Sequence, residues 1–317
     1  MKTWLLLLGG ALLLVQQVLQ LFTPEVQSAL FLLGIVLLGV PHGAADLLVS
    51  VQQAREAERV FRMPMFLFGY VGRLVIFATV LYFLPLIGSA LFILFSAYHF
   101  GETDLSGLRT ETLLGKAVVL NYGLVIMGII LLGHAEEVRP ILAVLNGSVG
   151  QALWLERTIS SKLALLGISM VLFFGSAFAY FVVNPSARAD GGDFLASFAL
   201  LALLLHFLPL VLGFVFYFIG WHSLLSLRNI LLYLRKDGLC STGIILKRMA
   251  FYSMLALLGI GLLAVCGFAY MTTGTLLASV IVGLAVLTAP HMGVMHLMYA
   301  RMRAPHLFPP PSTVCTR

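Results

Sequence analysis

Four histidines of this chain have surroundings that single them out as candidates for metal chemistry. Each lies in or beside a long apolar run and within two residues of a glycine; they are His42, His99, His222 and His291. Ionisable side chains at membrane depth are costly, and they usually face a bundle interior or a functional site. Imidazole is also a common protein ligand of iron, zinc and copper. We therefore predict that these histidines converge on one metal ion.

The composition is typical of an integral membrane protein. Of the 317 residues, 61% are hydrophobic and 10% are charged, whereas soluble domains carry about 25% charged residues. The apolar runs are long enough to cross a bilayer as helices, and the strict alternation of a membrane barrel is absent. The predicted fold class is all-α, a polytopic integral membrane helical bundle forming a single domain over residues 1–317, with a flexible tail over 304–317.

The basic residues indicate topology and not nucleic-acid binding. The net charge is +6, but the lysines and arginines separate the apolar runs and do not gather on one face. If both termini are cytoplasmic, 15 of the 19 lie inside and three lie outside, while Arg73 falls within a span. This asymmetry favours ten spans in a cell inner (plasma) membrane. The three cysteines have neither metal-type spacing nor a disulfide framework.

We predict ten helices, the first of them uncleaved and not a signal peptide. They lie near 4–22, 29–51, 64–84, 85–105, 113–134, 162–183, 194–208, 210–230, 249–272 and 277–300. The block 194–230 is divided at Leu208-Pro209 because proline interrupts helices. Residues 140–158 contain Asn146-Gly147-Ser148 and are predicted to form a loop with a short interfacial or re-entrant piece.

The four histidines are also predicted to lie at one depth. On this topology the second, fourth, eighth and tenth helices run inwards, and each histidine precedes a cytoplasmic arginine by 10 or 13 residues. At about 1.5 Å per residue, the four depths agree within roughly 5 Å. Carboxylates nearby are expected to orient the metal ligands from outside the coordination sphere; they are Asp46, Glu102 and Asp104.

Other polar residues in the apolar runs receive weaker predictions. Asp46 lies four residues after His42, so a helix would put both on one face. His134 and His206 fall near the outer ends of their helices, where a side chain can reach the interface. Arg73 is expected either to pair with a carboxylate or to reach the interface. Aromatic residues near the histidines are expected to pack towards lipid or to line a pocket for a long apolar ligand.

Four short segments together resemble the Brp/Blh family of membrane β-carotene dioxygenases, also called the bacteriorhodopsin-related protein family. Residues 41–46 (Pro-His-Gly-Ala-Ala-Asp) resemble its Pro-His-Gly-Ala-x-Asp motif, and residues 99–104 resemble its His-Phe-Gly-x-x-Asp motif. Residues 217–223, ending in Trp-His-Ser, and 290–292 (Pro-His-Met) resemble two further family segments. The segments occur in family order and span most of the chain.

The resemblance implies an all-helical, iron(II)-dependent enzyme of the membrane. It would cleave the central double bond of β-carotene, or a related carotenoid, with O₂ and give retinal. The ligands carried over by motif, which are also the catalytic residues, are His42, His99 and His222. The expected partners are a carotenoid, O₂ and the lipid bilayer, with a functional link to a rhodopsin and no nucleic acid.

One position departs from the family pattern. The family usually has a second histidine four residues after the one that matches His222, and this chain has Ser226 there. A serine hydroxyl is a poor ligand for iron. The expected fourth ligand is therefore either His291 or His296.

Three other interpretations stay open from the sequence. A membrane desaturase or hydroxylase would need clustered histidine boxes, and the chain has no His-x-x-His. A membrane metal transporter with a histidine site would be expected to show inverted repeats, and no clear repeat is visible. A carotenoid- or retinal-binding protein without catalysis would follow if the site had decayed at Ser226.

Overall fold

The computed structural model describes residues 1–108, 111–145, 149–236, 241–268 and 273–303. Within these residues the regular structure is helical and no strand is present, which confirms the predicted all-α class. The predicted tail over 304–317 and the segment Asn146-Gly147-Ser148 lie outside the described residues.

The chain order contains fifteen α-helices in the described ranges, two π-helical segments and one 3₁₀ helix. The α-helices are α1 Lys2–Leu19, α2 Pro24–Gly34, α3 Val40–Ala44, α4 Asp46–Glu56, α5 Met63–Phe83, α6 Pro85–Asp104, α7 Leu113–Leu132, α8 Ala135–Leu145, α9 Val149–Ser160, α10 Lys162–Val183, α11 Gly191–Phe207, α12 Leu210–Phe214, α13 Leu224–Arg235, α14 Thr242–Phe268 and α15 Thr273–Arg303. The first π segment is Ile35–Gly39, the second is Val215–Ser223, and the 3₁₀ helix is Pro185–Asp190.

Each of the ten predicted helices overlaps a helical stretch of the structure. The division at Leu208-Pro209 is confirmed, because α11 ends at Phe207 and α12 begins at Leu210. The second predicted helix is longer than expected, since helical structure runs from Pro24 to Glu56. Its start at a proline is favourable, because the first turn of a helix needs no amide donor there.

Residues 140–158 differ from the prediction. The sequence predicts a loop with a short interfacial or re-entrant piece, but α8 and α9 cover the residues on both sides of 146–148. Arg139 on α8 forms ion pairs with Glu136, at 3.4 Å, and with Glu156 on α9, at 3.3 Å.

Seven helical stretches among the described residues are long and apolar enough to cross a membrane. They are Lys2–Leu19, Pro24–Glu56, Met63–Phe83, Leu113–Leu132, Lys162–Val183, Leu210–Arg235 and Thr242–Gly259. Helix α6 has a similar length, but its last turns carry His99, Glu102 and Asp104 and are less apolar. The protein is therefore a polytopic membrane protein, and the ten-span topology stays a prediction.

The chain divides into two compact units. The first consists of Met1–Gly34 and Ile93–His222, and the second of Ile35–Phe92 and the described residues from Ser223 onwards. Each unit combines segments that are far apart in sequence. The expected single domain stays a prediction.

Close packing of α7 against its neighbours organises the first unit. Its residue Tyr122 contacts the rings of Phe173 on α10 and Phe198 on α11, with ring centroids 5.9 and 5.8 Å apart. Two glycines bring α6 and α7 together: a Cβ on Gly101 would overlap the carbonyl group of Val119, and one on Gly123 would overlap the backbone of Ala97. Glycine at such positions permits close helix approach.

The second unit has an apolar core and a buried charged cluster. The core contains Ala45, Val49, Ile230, Tyr233, Ile245, Met249, Val294, Met295, Met298 and Tyr299. Glu56, at the end of α4, accepts hydrogen bonds from Tyr233 at 2.8 Å and Arg301 at 3.0 Å, and it pairs with Lys236 at 2.6 Å. This cluster ties the ends of α4, α13 and α15 together.

Replacing Gly123 with alanine is expected to destabilise the first unit. The new methyl group would meet the backbone of Ala97, and backbone cannot yield as a side chain does; overpacking of this kind costs about 1–3 kcal/mol. Thermal unfolding in detergent, followed by circular dichroism, measures the effect. The matched control is Gly175→Ala on α10, where the same methyl group meets nothing within 4 Å. Equal melting temperatures for the two variants would contradict the proposed close approach.

Candidate functional site

Irregular helix geometry marks two of the motif histidines. The first π segment ends directly before the Val40-Pro41-His42 sequence, and the second contains His222 near its end. π-Helical turns shift the hydrogen-bond register, re-aim the following side chains and occur frequently at functional sites. Pro41 adds to this interruption, because it has no amide hydrogen to donate. The backbone beside His42 and around His222 therefore departs from regular α-helical geometry.

His99 and His222 form an aromatic pair within the first unit. Both are buried, with 2% and 0% exposure, and their ring centroids lie 4.8 Å apart at 75°. Phe100 lies 4.7 Å from the ring of His222, and Phe218 stacks on it at 6.0 Å. The phenylalanine rings shield the imidazoles from polar surroundings.

His42 and His291 form the corresponding pair within the second unit. They are also buried, with 5% and 6% exposure, and their ring centroids lie 5.0 Å apart at 78°. His42 is on α3 and His291 is on α15, far apart in sequence. Each unit therefore holds two adjacent imidazoles in an apolar environment.

The Nδ1 atoms of His42 and His291 both lie within hydrogen-bonding distance of an oxygen. The Nδ1 of His42 lies 3.2 Å from the carbonyl oxygen of Leu38, and the Nδ1 of His291 lies 2.7 Å from the Oδ1 of Asp46. The Asp46 carboxylate only accepts hydrogen bonds, so the Nδ1 of His291 carries the proton, whereas the Nδ1 of His42 also lies 3.3 Å from the hydroxyl of Ser223, which can donate or accept. In a neutral His291 ring the lone pair is then on Nε2, which is the nitrogen that ligates metals in this tautomer.

Asp46 contacts a different histidine from the one expected. The sequence placed it on one helical face with His42, but its Oδ1 accepts a hydrogen bond from His291 Nδ1. Its Oδ2 accepts a hydrogen bond from the hydroxyl of Tyr70 at 2.9 Å.

Asp104 is the centre of a second buried network, in the first unit. Its Oδ2 accepts hydrogen bonds from Tyr122 at 2.8 Å and from Tyr217 at 3.1 Å. Tyr217 lies in the same π segment as His222, and Asp104 lies on the same helix as His99. Asp104 therefore fixes these two segments relative to each other. Glu102, the third predicted carboxylate, is also completely buried.

The two candidates for a fourth ligand have different environments. His291 is buried beside His42, whereas His296, five residues later on α15, is exposed. Ser226 is buried on α13, one turn after His222, and its hydroxyl has no hydrogen-bond partner among the described residues.

The remaining predicted polar residues have structural roles or lie at the surface. The ring nitrogens of His134 lie 2.9 Å from the carbonyl oxygen of Leu208 and 3.2 Å from that of Ile130, so this side chain links two helix ends. His206 is exposed. Arg73 donates to the carbonyl oxygen of Gly69 on its own helix at 3.1 Å. Its guanidinium also lies close to Gly293, where a Cβ would come within 2.7 Å of Nη1.

Sequence reasoning missed the tyrosines that bind the buried carboxylates. Tyr70 lies in an apolar helix with no motif around it, and Tyr122 likewise follows an apolar run. A tyrosine in such a run is usually placed by packing alone. The only available signal was the number of carboxylates in the apolar segments, because each of them requires a donor.

The donor set fits a transition-metal ion of the iron, zinc or copper group. The histidines supply neutral nitrogen ligands, and Asp46 supports one of them from behind, an arrangement common at histidine-bound metals. Within either unit, the described residues contain no group of three or more histidine, cysteine, aspartate or glutamate side chains arranged to hold a metal ion. Each unit offers two imidazoles.

Comparison with known proteins assigns the chain to a family. Residues 33–299 match the sequence profile of a family described as beta-carotene 15,15'-dioxygenase. The chain belongs to the beta-carotene 15,15'-dioxygenase family. The match covers most of the chain and includes all four motif histidines. The predicted resemblance is thereby confirmed, and so is the predicted class, a carotenoid cleavage dioxygenase, which is an oxidoreductase.

A curated relative agrees with this family assignment. A protein named Beta-carotene 15,15'-dioxygenase, from Uncultured marine bacterium 66A03, is 25% identical over 262 residues, which cover 81% of this chain and 89% of the relative. No solved structure matches the chain. The assignment to the beta-carotene 15,15'-dioxygenase family therefore rests on sequence similarity.

Replacing Asp104 with asparagine is expected to destabilise this member of the family. The neutral amide offers one acceptor oxygen in place of a charged carboxylate, so the bonds from Tyr122 and Tyr217 weaken. Hydrogen bonds to charged groups contribute about 1.5–3 kcal/mol each. Thermal unfolding measures the loss, with Asp193→Asn as the control, because Asp193 is an exposed carboxylate. If both variants unfolded at the wild-type temperature, Asp104 would not be a structural centre.

Proposed function

We propose that this protein is an iron(II)-dependent dioxygenase that cleaves β-carotene, or a closely related carotenoid, at its central double bond with O₂. The carbon–carbon double bond is broken and each of its carbons receives one oxygen atom, so two retinal molecules form. The substrate is insoluble in water, and a membrane-embedded enzyme can take it directly from the bilayer.

The observation that carries the proposal is the burial and pairing of imidazoles in a chain of this family. His42 and His291 are buried side by side, and an acceptor engages the Nδ1 of each. Ionisable side chains placed among apolar helices are costly and usually belong to a functional site. Adjacent buried imidazoles are typical ligands of an iron ion.

The proposed iron ligands are His42, His99 and His222, with His291 as the fourth. Bound iron(II) would supply the redox chemistry with O₂ that side chains alone do not have. His291 is preferred to His296 because it is buried and oriented by Asp46, while His296 is exposed. The carbonyl oxygen of Leu38 and the carboxylate of Asp46 orient the imidazoles of His42 and His291.

The aromatic residues beside His222 are proposed to hold the polyene. Phe214 stacks on Phe218 with centroids 5.3 Å apart, Phe218 stacks on His222, and Phe100 contacts the same imidazole. This series of flat apolar rings leads along the π segment to the histidine. It would bind a conjugated chain through its faces and keep water away from the reacting bond.

We further propose a location in the cell inner (plasma) membrane with both termini cytoplasmic. The unequal distribution of lysine and arginine along the sequence supports this orientation. The retinal produced would be available to a rhodopsin in the same membrane.

Expression in carotene-producing bacteria is expected to bleach the cells. Wild-type protein should remove the carotenoid colour and produce a retinal peak in extracts analysed by chromatography, while His42→Ala should abolish both. Immunoblotting of membranes controls for expression. Cells that stay coloured and contain no retinal, despite wild-type protein in their membranes, would contradict carotenoid cleavage.

Substitution of the two candidate fourth ligands is expected to distinguish them. His291→Ala should reduce the iron content of the purified, iron-reconstituted protein by about tenfold or more, because one ligand is lost. His296→Ala should retain the wild-type iron content, since this side chain is exposed. Metal analysis by mass spectrometry measures both. The reverse pattern would assign the fourth ligand to His296.

A further inference from the structure

Tyr70 is connected to His291 through one carboxylate. Its hydroxyl donates to Oδ2 of Asp46 at 2.9 Å, and Oδ1 of the same carboxylate accepts from Nδ1 of His291 at 2.7 Å. The three residues come from α5, α4 and α15 of the second unit. Two consecutive hydrogen bonds therefore connect the phenol of Tyr70 to the imidazole of His291.

Each residue in this hydrogen-bonded series restricts the orientation of the next. A carboxylate with one oxygen bound can still rotate, but a carboxylate with both oxygens bound has a fixed plane. With Oδ2 held by Tyr70, the lone pairs of Oδ1 are directed at His291 Nδ1. The imidazole then keeps its proton on Nδ1 and presents the lone pair of Nε2 in one direction. Partners outside the coordination sphere tune metal sites in this way.

The tyrosine ring itself is placed by ordinary packing. It contacts the ring of Phe66, one turn earlier on α5, with centroids 5.5 Å apart. A phenylalanine at position 70 would preserve that contact. Tyrosine differs from phenylalanine only by the hydroxyl, and this hydroxyl bonds to Asp46.

We infer that Tyr70 is a positioning residue for the metal centre, acting on His291 through Asp46. This inference rests on the proposed function, in which His291 is an iron ligand. It extends the set of residues that determine the site to a helix, α5, that carries none of the motif histidines.

The experiment titrates full-length wild-type protein and Tyr70→Phe in detergent with Fe²⁺ under anaerobic conditions. The variant is expected to bind iron about tenfold more weakly, the lower end of the range for residues that orient metal ligands. Co²⁺ serves as a spectroscopic probe, and its visible absorption bands are expected to change in position or intensity. Tyr82→Phe is the control, because Tyr82 lies on the same helix and is exposed; it should match wild type.

A double-mutant cycle with Asp46→Asn separates positioning from packing. If Tyr70 acts through Asp46, the double variant should bind Fe²⁺ no more weakly than Asp46→Asn alone. Melting temperatures measured in parallel report any general loss of stability. A Tyr70→Phe variant that melts earlier but keeps the wild-type Fe²⁺ affinity and Co²⁺ spectrum would show a merely structural role and overturn the inference. Fully additive effects would overturn it as well.

The outcomes also distinguish this inference from the proposed function. Wild-type protein that binds no Fe²⁺ would overturn both. Wild-type protein that binds Fe²⁺ and loses it in His291→Ala, while Tyr70→Phe binds normally, would overturn the role of Tyr70 alone.

Discussion

A polar group buried among apolar helices has no water to bond, so the protein itself must supply its partner. Three buried carboxylates of this chain meet the requirement in the same manner, with a tyrosine hydroxyl from another helical segment. Tyr70 donates to Asp46, and Tyr233 donates to Glu56. Asp104 receives two such bonds, from Tyr122 and Tyr217. Each bond joins two different helical segments, and each thereby restricts how those segments pack.

Glu56 and Asp46 differ in the charges that surround them. Glu56, at the end of α4, is also bonded to Lys236 and Arg301, so its negative charge is balanced by cations at the helix ends. Asp46 lies further inside the helical stretch, and its two oxygens bond to a phenol and an imidazole. A neutral donor satisfies hydrogen bonding without cancelling charge. This leaves Asp46 able to favour a positively charged group at His291, which is what a bound metal would provide.

Irregular helix geometry also affects the directions of the motif histidines. Both π segments lie next to motif histidines, His42 and His222. A regular α-helix repeats its side-chain directions every few residues, and a π turn shifts that repeat. The irregular geometry is tolerable here because nearby side chains bond to the backbone, as His42 does to the carbonyl of Leu38. The prolines of the motifs indicated an interruption of the helix, but the sequence did not reveal that it takes a π form.

The sequence by itself determined the all-α membrane class, the positions of ten helices, the family and the four motif histidines. Hydrophobic length, proline positions and short motifs are local properties that can be read along a chain. Tertiary structure decided which histidines are neighbours, that Asp46 bonds to His291, and that Tyr70, Tyr122 and Tyr217 donate to buried carboxylates. It also showed that residues on both sides of 146–148 are helical. These outcomes depend on contacts between distant segments, and helix periodicity describes only the neighbours along one helix.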